Sequence, residues 1–189
     1  GEVENPKQIL PGRLPGFHLS AKGKEQARQT AAYLKQHAIS AIFTSPLDRC
    51  METAKIISET IGKLPIISMP NLTEIKTPLE GEPLTRLKKD NFNFYKPKRL
   101  KKGGESIEKI LARTLSSLNA IIRDNQGREV IVVTHGDIIM FLKMKLFWKR
   151  VEFNLSRGPF YPSHASILSL SFNQSRSLIQ SSEVMFYHL

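Results

Sequence analysis

The sequence is short of cysteine and of long apolar runs. A single cysteine, Cys50, excludes an internal disulfide framework and a metal cluster built on cysteines, and it indicates a reducing, cytoplasmic setting. No apolar run approaches the roughly 20 residues that cross a bilayer, so no membrane role is expected. The chain opens on the polar stretch GEVENP, which is unlike a secretory signal. Repeats and linkers are absent, so residues 1–189 are expected to form a single domain.

Acidic residues are outnumbered by basic ones, 17 to 28, and the formal net charge is +11. The basic residues crowd into 96–102 (KPKRLKK) and 143–150 (KMKLFWKR). Such runs most often form a solvated face; attraction of a phosphorylated substrate is the next interpretation, and nucleic acid binding the third. The first run has no interleaved aromatic residues and neither run matches a base-reading motif, so nucleic acid is not the expected partner.

Segments with strand and helix patterns alternate along the chain. Strands are predicted at 41–44, 65–69, 130–133 and 166–172, and helices at 20–34, 47–61 and 103–125, with one more helix within 83–102. The 130–133 run is typical of a strand covered on both faces, whereas 166–172 alternates and predicts a half-exposed strand near the sheet's edge. This alternation favours an α/β fold, a three-layer α/β/α sandwich with a mainly parallel sheet.

Two strand-to-helix junctions carry the candidate chemistry. His135 and Gly136 follow one predicted strand, and Arg49 falls in the first helical turn after another. Because the carboxyl ends of parallel strands meet at one edge of a sheet, Arg49 and His135 are expected to converge on one pocket. Helix starts and arginine both suit an anion such as phosphate. Each residue also has a plain structural interpretation: His135 as a cap of its turn, and Arg49 as a surface side chain.

The motifs at these junctions resemble those of the histidine phosphatase superfamily, which contains the cofactor-dependent phosphoglycerate mutases, fructose-bisphosphatases and α-ribazole phosphatases. The resemblance lies in SPLDRCMETA at 45–54 and VTHG at 133–136. Residues 72–81 are similar to the acid loop of that superfamily, GGES at 103–106 to a helix start, and 19–27 to its first helix opening. The matches follow in order along nearly the whole chain, which implies a phosphoglycerate mutase-like fold.

The signature of that superfamily is an Arg-His-Gly triplet at the end of the first strand, where the histidine takes the phosphoryl group. Residues 1–5, GEVEN, resemble this motif with its Arg-His and the preceding strand missing. His18 lies in a Pro/Gly loop and is no substitute. The resemblance therefore implies that the nucleophile precedes Gly1, that the first strand is absent from residues 1–189, and that these residues alone are inactive.

The resemblance also implies a mechanism that needs no metal or other cofactor. Arg49 and His135 would hold the phosphoryl oxygens, and Glu74 would be the general acid, with Glu2, Glu80 and Glu82 as its rivals. The implied ligand is a small phosphorylated metabolite, with phosphate or another oxyanion in the site. Further positions that resemble phosphate-side or substrate-binding ones are Gly136, Asn5, Gly12 and Arg13, the last of which either selects the substrate or faces water.

Three functions follow from this resemblance. The first is hydrolysis of small phosphomonoesters, and its nearest rival is phosphoglycerate mutase-type transfer. Only residues 75–102 separate Glu74 from the GGES segment, which leaves little room for a large cap over the site and favours hydrolysis. The third, from a different class, is a catalytically dead phosphate-binding or scaffold protein.

Overall fold

The computed structural model describes residues 1–148, 151–153, 161–173, 175 and 177–184. Helices and strands alternate through most of this part of the chain, as the sequence predicts. They are α1 (Ala21–Leu34), β1 (Ile39–Thr44), α2 (Asp48–Ile61), β2 (Ile66–Ser68), α3 (Leu84–Lys88), α4 (Pro97–Lys101), α5 (Ile107–Asp124), β3 (Glu129–Val133), α6 (Gly136–Lys143), β4 (Ile167–Phe172) and β5 (Leu178–Val184). No helix in the described residues is both long and apolar enough to cross a bilayer.

The main sheet has β1 at its centre, with β2 and β3 parallel to it on either side. The register is level at the carboxyl end, because Thr44 lies opposite Ser68 on one side and opposite Val133 on the other. Ser45 continues the pairing by donating its backbone N–H to Val133 O at 2.9 Å. The loops that follow β1 and β3 therefore leave the sheet at the same edge.

The buried apolar residues form two clusters, one of which includes residues of the sheet. In one, Ala31 of α1 and Ile57 of α2 pack with the fully buried Ile42 of β1. In the other, Ile110 of α5 packs with Ile138 and Phe141 of α6. The described residues thus form the α/β sandwich that the sequence predicts, with a parallel sheet at its core.

A cavity of about 1930 Å³ runs beside β3. Its sides are β3 and β4, and apolar residues of two helices close it, Leu34 from α1 with Leu118 and Ile121 from α5. Within the described residues β3 pairs only with β1, and β4 only with β5. The β3 side chains pack against the core in part, through Ile131 and Val133, but none is fully buried, so the expectation of a strand covered on both faces was not met. We call this space the strand slot, because its two walls are strand edges whose backbone N–H and C=O groups point toward it without pairing to a further strand in the described residues.

The region 83–102 differs from its prediction of one helix. It contains two five-residue helices, α3 and α4, joined by a loop in which Asn91 and Phe92 adopt positive φ of 48° and 51°. Such φ values end a helix, since L-residues other than glycine adopt them rarely. Asp90 fixes the loop by pairing with Lys96 and Arg99 across it.

The segment 166–172 is a strand with the predicted alternation of half-buried and exposed residues. In the part of the chain that the structure describes it pairs antiparallel with β5 and not with the main sheet, although it faces the edge strand β3 across the strand slot. The sequence analysis also missed β5, whose LIQSSEV has no clear period of two.

The N-terminal residues are fixed against the start of α1. Ser20 caps this helix by accepting a hydrogen bond from Gly23 N at 3.0 Å. Gly23 also allows the backbone of Glu2 to approach, since a Cβ there would lie 1.9 Å from Glu2 O. Glu2 N in turn donates to Gln26 Oε1 at 2.8 Å. The cap thus positions Gly1 and Glu2 as well as the helix.

Replacing Ser20 with alanine should lower the free energy of unfolding by about 1 kcal/mol, because the cap is lost. Ser106→Ala, at the cap of α5, should cost less, since its hydroxyl accepts from Lys109 N at the longer distance of 3.4 Å. Urea unfolding of both variants measures the difference. A larger loss at Ser106 than at Ser20 would contradict this account of the caps.

Candidate active site

Arg49 lies in the first turn of α2, directly past the carboxyl edge of the sheet. One of its guanidinium nitrogens, Nη2, donates to Gly12 O at 3.0 Å and to His135 Nδ1 at 3.1 Å. The structure therefore brings together two side chains that are 86 positions apart in sequence. Their convergence follows from the level register of β1 and β3.

His135 sits at the N-cap of α6 and is only 5% exposed. Its Nδ1 receives the Arg49 hydrogen bond, so the ring proton lies on Nε2, which donates to Ser45 Oγ at 2.8 Å. Burial lowers the pKa of His135 well below 6.5, and the charges of Arg49, Arg113 and Arg13 lower it further. His135 is therefore a neutral imidazole in this arrangement.

Glu74 reaches the same point from the loop after the 3₁₀ turn Pro70–Leu72. Its Oε2 lies 3.5 Å from His135 Nδ1 and 3.9 Å from Arg49 Nη2, while its Oε1 accepts from Ile75 N at 2.9 Å. A carboxylate, a guanidinium and a neutral imidazole thus share one partly buried position. Such a group can hold an oxyanion and exchange a proton with it.

The three rivals of Glu74 contact other parts of the chain. Glu2 accepts from Ser20 Oγ at 3.0 Å. Glu80 accepts from Arg13 N at 3.0 Å, and Glu82 pairs with the exposed Arg86. Of the four carboxylates, Glu74 is the one within 4 Å of both Arg49 and His135.

The glycines named from the sequence line the cavity, but Asn5 does not. Gly12 presents its carbonyl to Arg49 and adopts a φ of +48°, and a Cβ there would lie 2.3 Å from Glu80 Cγ. Gly136 opens α6, where a Cβ would lie 2.4 Å from Tyr161 Oη. The Asn5 side chain instead bonds the backbone of Ile9, with Nδ2 donating to Ile9 O at 2.7 Å. The structure thus gives Asn5 a role in shaping its loop.

Arg13 points neither to open water nor directly at Arg49. Its Nε donates to Glu74 O at 2.6 Å, and its Nη2 donates to Glu105 Oε2 at 3.0 Å. Glu105 also pairs with Arg113, which the sequence analysis did not single out.

Ser45, the partner of His135 Nε2, was quoted in a motif but given no role. Its position directly after β1 was the available signal.

Cys50 packs against the same histidine, with Sγ 3.6 Å from His135 Nε2. Burial raises the pKa of the Cys50 thiol to about 11, so it stays protonated and is a poor nucleophile at neutral pH.

His18 lies apart from this site and pairs with Glu52 at 2.5 Å. In the described residues no group of three or more His, Cys, Asp or Glu side chains has the arrangement of a metal site.

Comparison with known proteins places this geometry in a family. The sequence model of the histidine phosphatase superfamily (branch 1) matches residues 1–183. The chain therefore belongs to the histidine phosphatase superfamily, as its motifs suggested.

Individual relatives agree with this assignment. An uncharacterised protein of Mycobacterium tuberculosis, Rv0525, is 33% identical over 93% of this chain and 88% of that protein. A metal-independent phosphoserine phosphatase of Arabidopsis thaliana is 28% identical over 71% of this chain and 62% of that protein. The solved structure of YhfR from Bacillus stearothermophilus shares the fold, with a TM-score of 0.79 at 24% identity, covering 95% of this chain and 90% of that one.

The state of His135 can be tested through the pH dependence of stability. The folded protein keeps His135 neutral, whereas the unfolded chain protonates it as the pH falls through about 6.5. The unfolded state then binds more protons, so this residue destabilises the fold progressively below that pH. When the pH is lowered from about 7.5 to about 5.5, the melting temperature of His135→Gln should therefore fall less than that of the parent protein, as measured by calorimetry.

His18 gives a control of opposite sign. Its hydrogen bond with Glu52 raises the pKa of His18, so its contribution to stability is present below about pH 6.5 and is lost as the pH rises through the folded-state pKa. On acidification the melting temperature of His18→Gln should accordingly fall more than that of the parent. Equal pH slopes for His135→Gln and the parent would show that His135 is not held neutral by the fold.

Proposed function

We propose that this chain is the phosphoryl-binding part of a phosphatase that hydrolyses small phosphomonoesters through a phosphohistidine intermediate. The observation that supports it is the convergence of Arg49, His135 and Glu74 at the carboxyl edge of the sheet. These groups supply positive charge, hydrogen-bond donors and a carboxyl group around one position. Phosphoryl transfer depends chiefly on such positioning and electrostatic stabilisation.

His135 is not the nucleophile in this proposal, because both of its ring nitrogens are engaged, one by Arg49 and one by Ser45. The attacking histidine is instead on a strand that precedes Gly1 and fills the strand slot. Two observations favour this position. The slot has a strand edge on each side, and it is lined by Gly1, Arg49 and His135, so a strand in it that leads into Gly1 would end beside Arg49. Six extended residues, about as many as β4 has, would span roughly 20 Å.

In the first step a nitrogen of that histidine attacks phosphorus, and the ester P–O bond breaks opposite to it. Arg49 donates to the phosphoryl oxygens throughout. An incoming dianion raises the pKa of His135, so that Nδ1 takes a proton and becomes a second donor. Glu74 takes up a proton together with the incoming substrate and gives it to the departing alkoxide oxygen.

In the second step the Glu74 carboxylate takes a proton from water as the water oxygen attacks phosphorus. The P–N bond breaks, and phosphate leaves with the histidine free again. The same residue thus serves as acid and then as base, and no bond in either step needs a metal ion. The metal-independent phosphoserine phosphatase among the relatives has a name consistent with such chemistry.

Hydrolysis is favoured over mutase activity by what surrounds the site. Residues 75–102 contain two five-residue helices rather than a cap domain over the pocket. A mutase must also hold a substrate carboxylate. Two nearby guanidiniums, Arg13 and Arg113, are instead bound to Glu105 and to backbone carbonyls. The site therefore suits one phosphoryl group on a small alcohol.

The location of the nucleophile has a direct test. The protein with its native residues upstream of Gly1 should hydrolyse an alkyl phosphate in the presence of EDTA, while residues 1–189 alone should stay at background. In the longer protein, His135→Ala should reduce the rate strongly because a donor to the phosphoryl group is lost. Hydrolysis by residues 1–189 that survives both His135→Ala and chelation would mean that a different site does the chemistry.

The role of Glu74 can be tested by the leaving group. An alkoxide needs its proton in the transition state, whereas a nitrophenolate is stable as an anion. Glu74→Gln in the longer protein should therefore slow phosphohistidine formation from alkyl phosphates by about 10²–10⁴-fold and from nitrophenyl phosphate far less. Rapid-quench kinetics isolates this step from hydrolysis of the intermediate.

Glu80→Gln is the matched control, because Glu80 lies on the same stretch but contacts Arg13 N rather than Arg49 or His135. It should show no selective loss for alkyl phosphates. Equal losses for both leaving groups in Glu74→Gln, or a larger selective loss in Glu80→Gln, would take the acid role away from Glu74.

A further inference from the structure

The loop that carries Glu74 is held by hydrogen bonds from arginine side chains to its backbone carbonyls. We call residues 71–76, which begin within the 3₁₀ turn Pro70–Leu72, the Glu74 loop. Arg113 Nη1 donates to Asn71 O at 2.6 Å and to Thr73 O at 2.7 Å. The carbonyl of Glu74 itself accepts from Arg13 Nε at 2.6 Å and from Arg113 Nη2 at 3.3 Å. Two guanidiniums, from distant parts of the chain, therefore meet at the main chain of the candidate acid.

Glu105 joins these two guanidiniums. Its Oε1 accepts from Arg113 Nε at 2.7 Å, and its Oε2 accepts from Arg113 Nη2 and from Arg13 Nη2, both at 3.0 Å. The same Oε2 accepts from Lys76 N at 3.2 Å, at the far end of the loop. One carboxylate thus accepts from four donor atoms of three residues, and two of these residues, Arg13 and Arg113, also bind the Glu74 carbonyl.

The charges explain why a carboxylate is needed at this position. Arg13 and Arg113 repel each other: burial lowers the pKa of Arg13, Glu105 opposes that lowering and Arg113 adds to it. The side chain of Glu105 is 12% exposed and that of Arg113 is 15% exposed, so solvent screens their pairing only in part. A neutral residue at 105 would leave two cations facing each other. Their repulsion would weaken the hydrogen bonds that they donate to the Glu74 loop.

We propose that Glu105 is a positioning residue for the general acid, because it bridges Arg13 and Arg113 so that both fix the Glu74 carbonyl. The Glu74 carboxylate is thereby set 3.5 Å from His135 Nδ1 and 3.9 Å from Arg49 Nη2. This inference rests on the proposed function, since it assigns Glu105 no contact with substrate and only an effect through Glu74.

Glu105→Gln in the protein with its upstream residues tests the proposal. Misplacement of the acid should slow alkyl phosphate turnover by up to about 10²-fold and slow nitrophenyl phosphate less. In a Glu74→Gln background, Glu105→Gln should have no further effect on alkyl phosphates. Glu25→Gln, which removes an exposed carboxylate paired with Arg28, should leave both rates unchanged.

Arg113→Lys is the second variant, because it keeps the charge but cannot contact Glu105 and three carbonyls together. It should show the same selectivity for alkyl phosphates. Equal slowing of both leaving groups by Glu105→Gln, or a loss that adds to that of Glu74→Gln, would reduce Glu105 to a structural residue and overturn the positioning role alone. A wild-type protein that hydrolyses neither ester would overturn the proposed function and this proposal with it.

Discussion

The structure of the site depends on one contact, the 3.1 Å hydrogen bond from the Arg49 guanidinium to the buried imidazole of His135. A cation beside a neutral partner keeps its full charge, whereas a bidentate carboxylate would neutralise it. Glu74, at 3.9 Å, is near enough to balance that charge in part but not to occupy the guanidinium fully. In the proposed function this charge is available to bind the phosphoryl group.

The neutral state of His135 follows from the same contact. Nδ1 accepts from Arg49, Nε2 donates to Ser45, and burial with the surrounding cations keeps a second proton off the ring. In the proposed mechanism a bound dianion would favour a second proton on the His135 ring. The site can then hold positive charge only when negative charge is present to share it.

Much of this site could be predicted from local patterns. A strand, a tight turn and a helix place Arg49 and His135 at one sheet edge, and the parallel register of β1 and β3 brings the two side chains together. The residues that hold Glu74 could not be predicted in this way. Arg113 is one charge on an amphipathic helix, and only the fold shows that it bonds three carbonyls of a loop about 40 positions away.

The fold was predictable to a similar extent. Segments with a clear period, such as those of α1, α5 and β1, were correct within a few residues, since burial of one face dictates them. The misses were in 83–102, where charged and aromatic residues have no common period, and in β4 and β5, whose partners depend on long-range pairing. The strand slot is a property of that pairing, and no stretch of the sequence describes it.

The proposed function depends most on the binding of the phosphoryl group by Arg49. Isothermal titration of orthovanadate into the protein with its native upstream residues tests it most directly. One vanadate should bind per chain, and Arg49→Gln should weaken binding by about 10–100-fold, the value of a charge-assisted hydrogen bond. Arg28→Gln, on the exposed face of α1, should bind as the parent does. Equal vanadate affinity in the parent and in Arg49→Gln would contradict this role of Arg49.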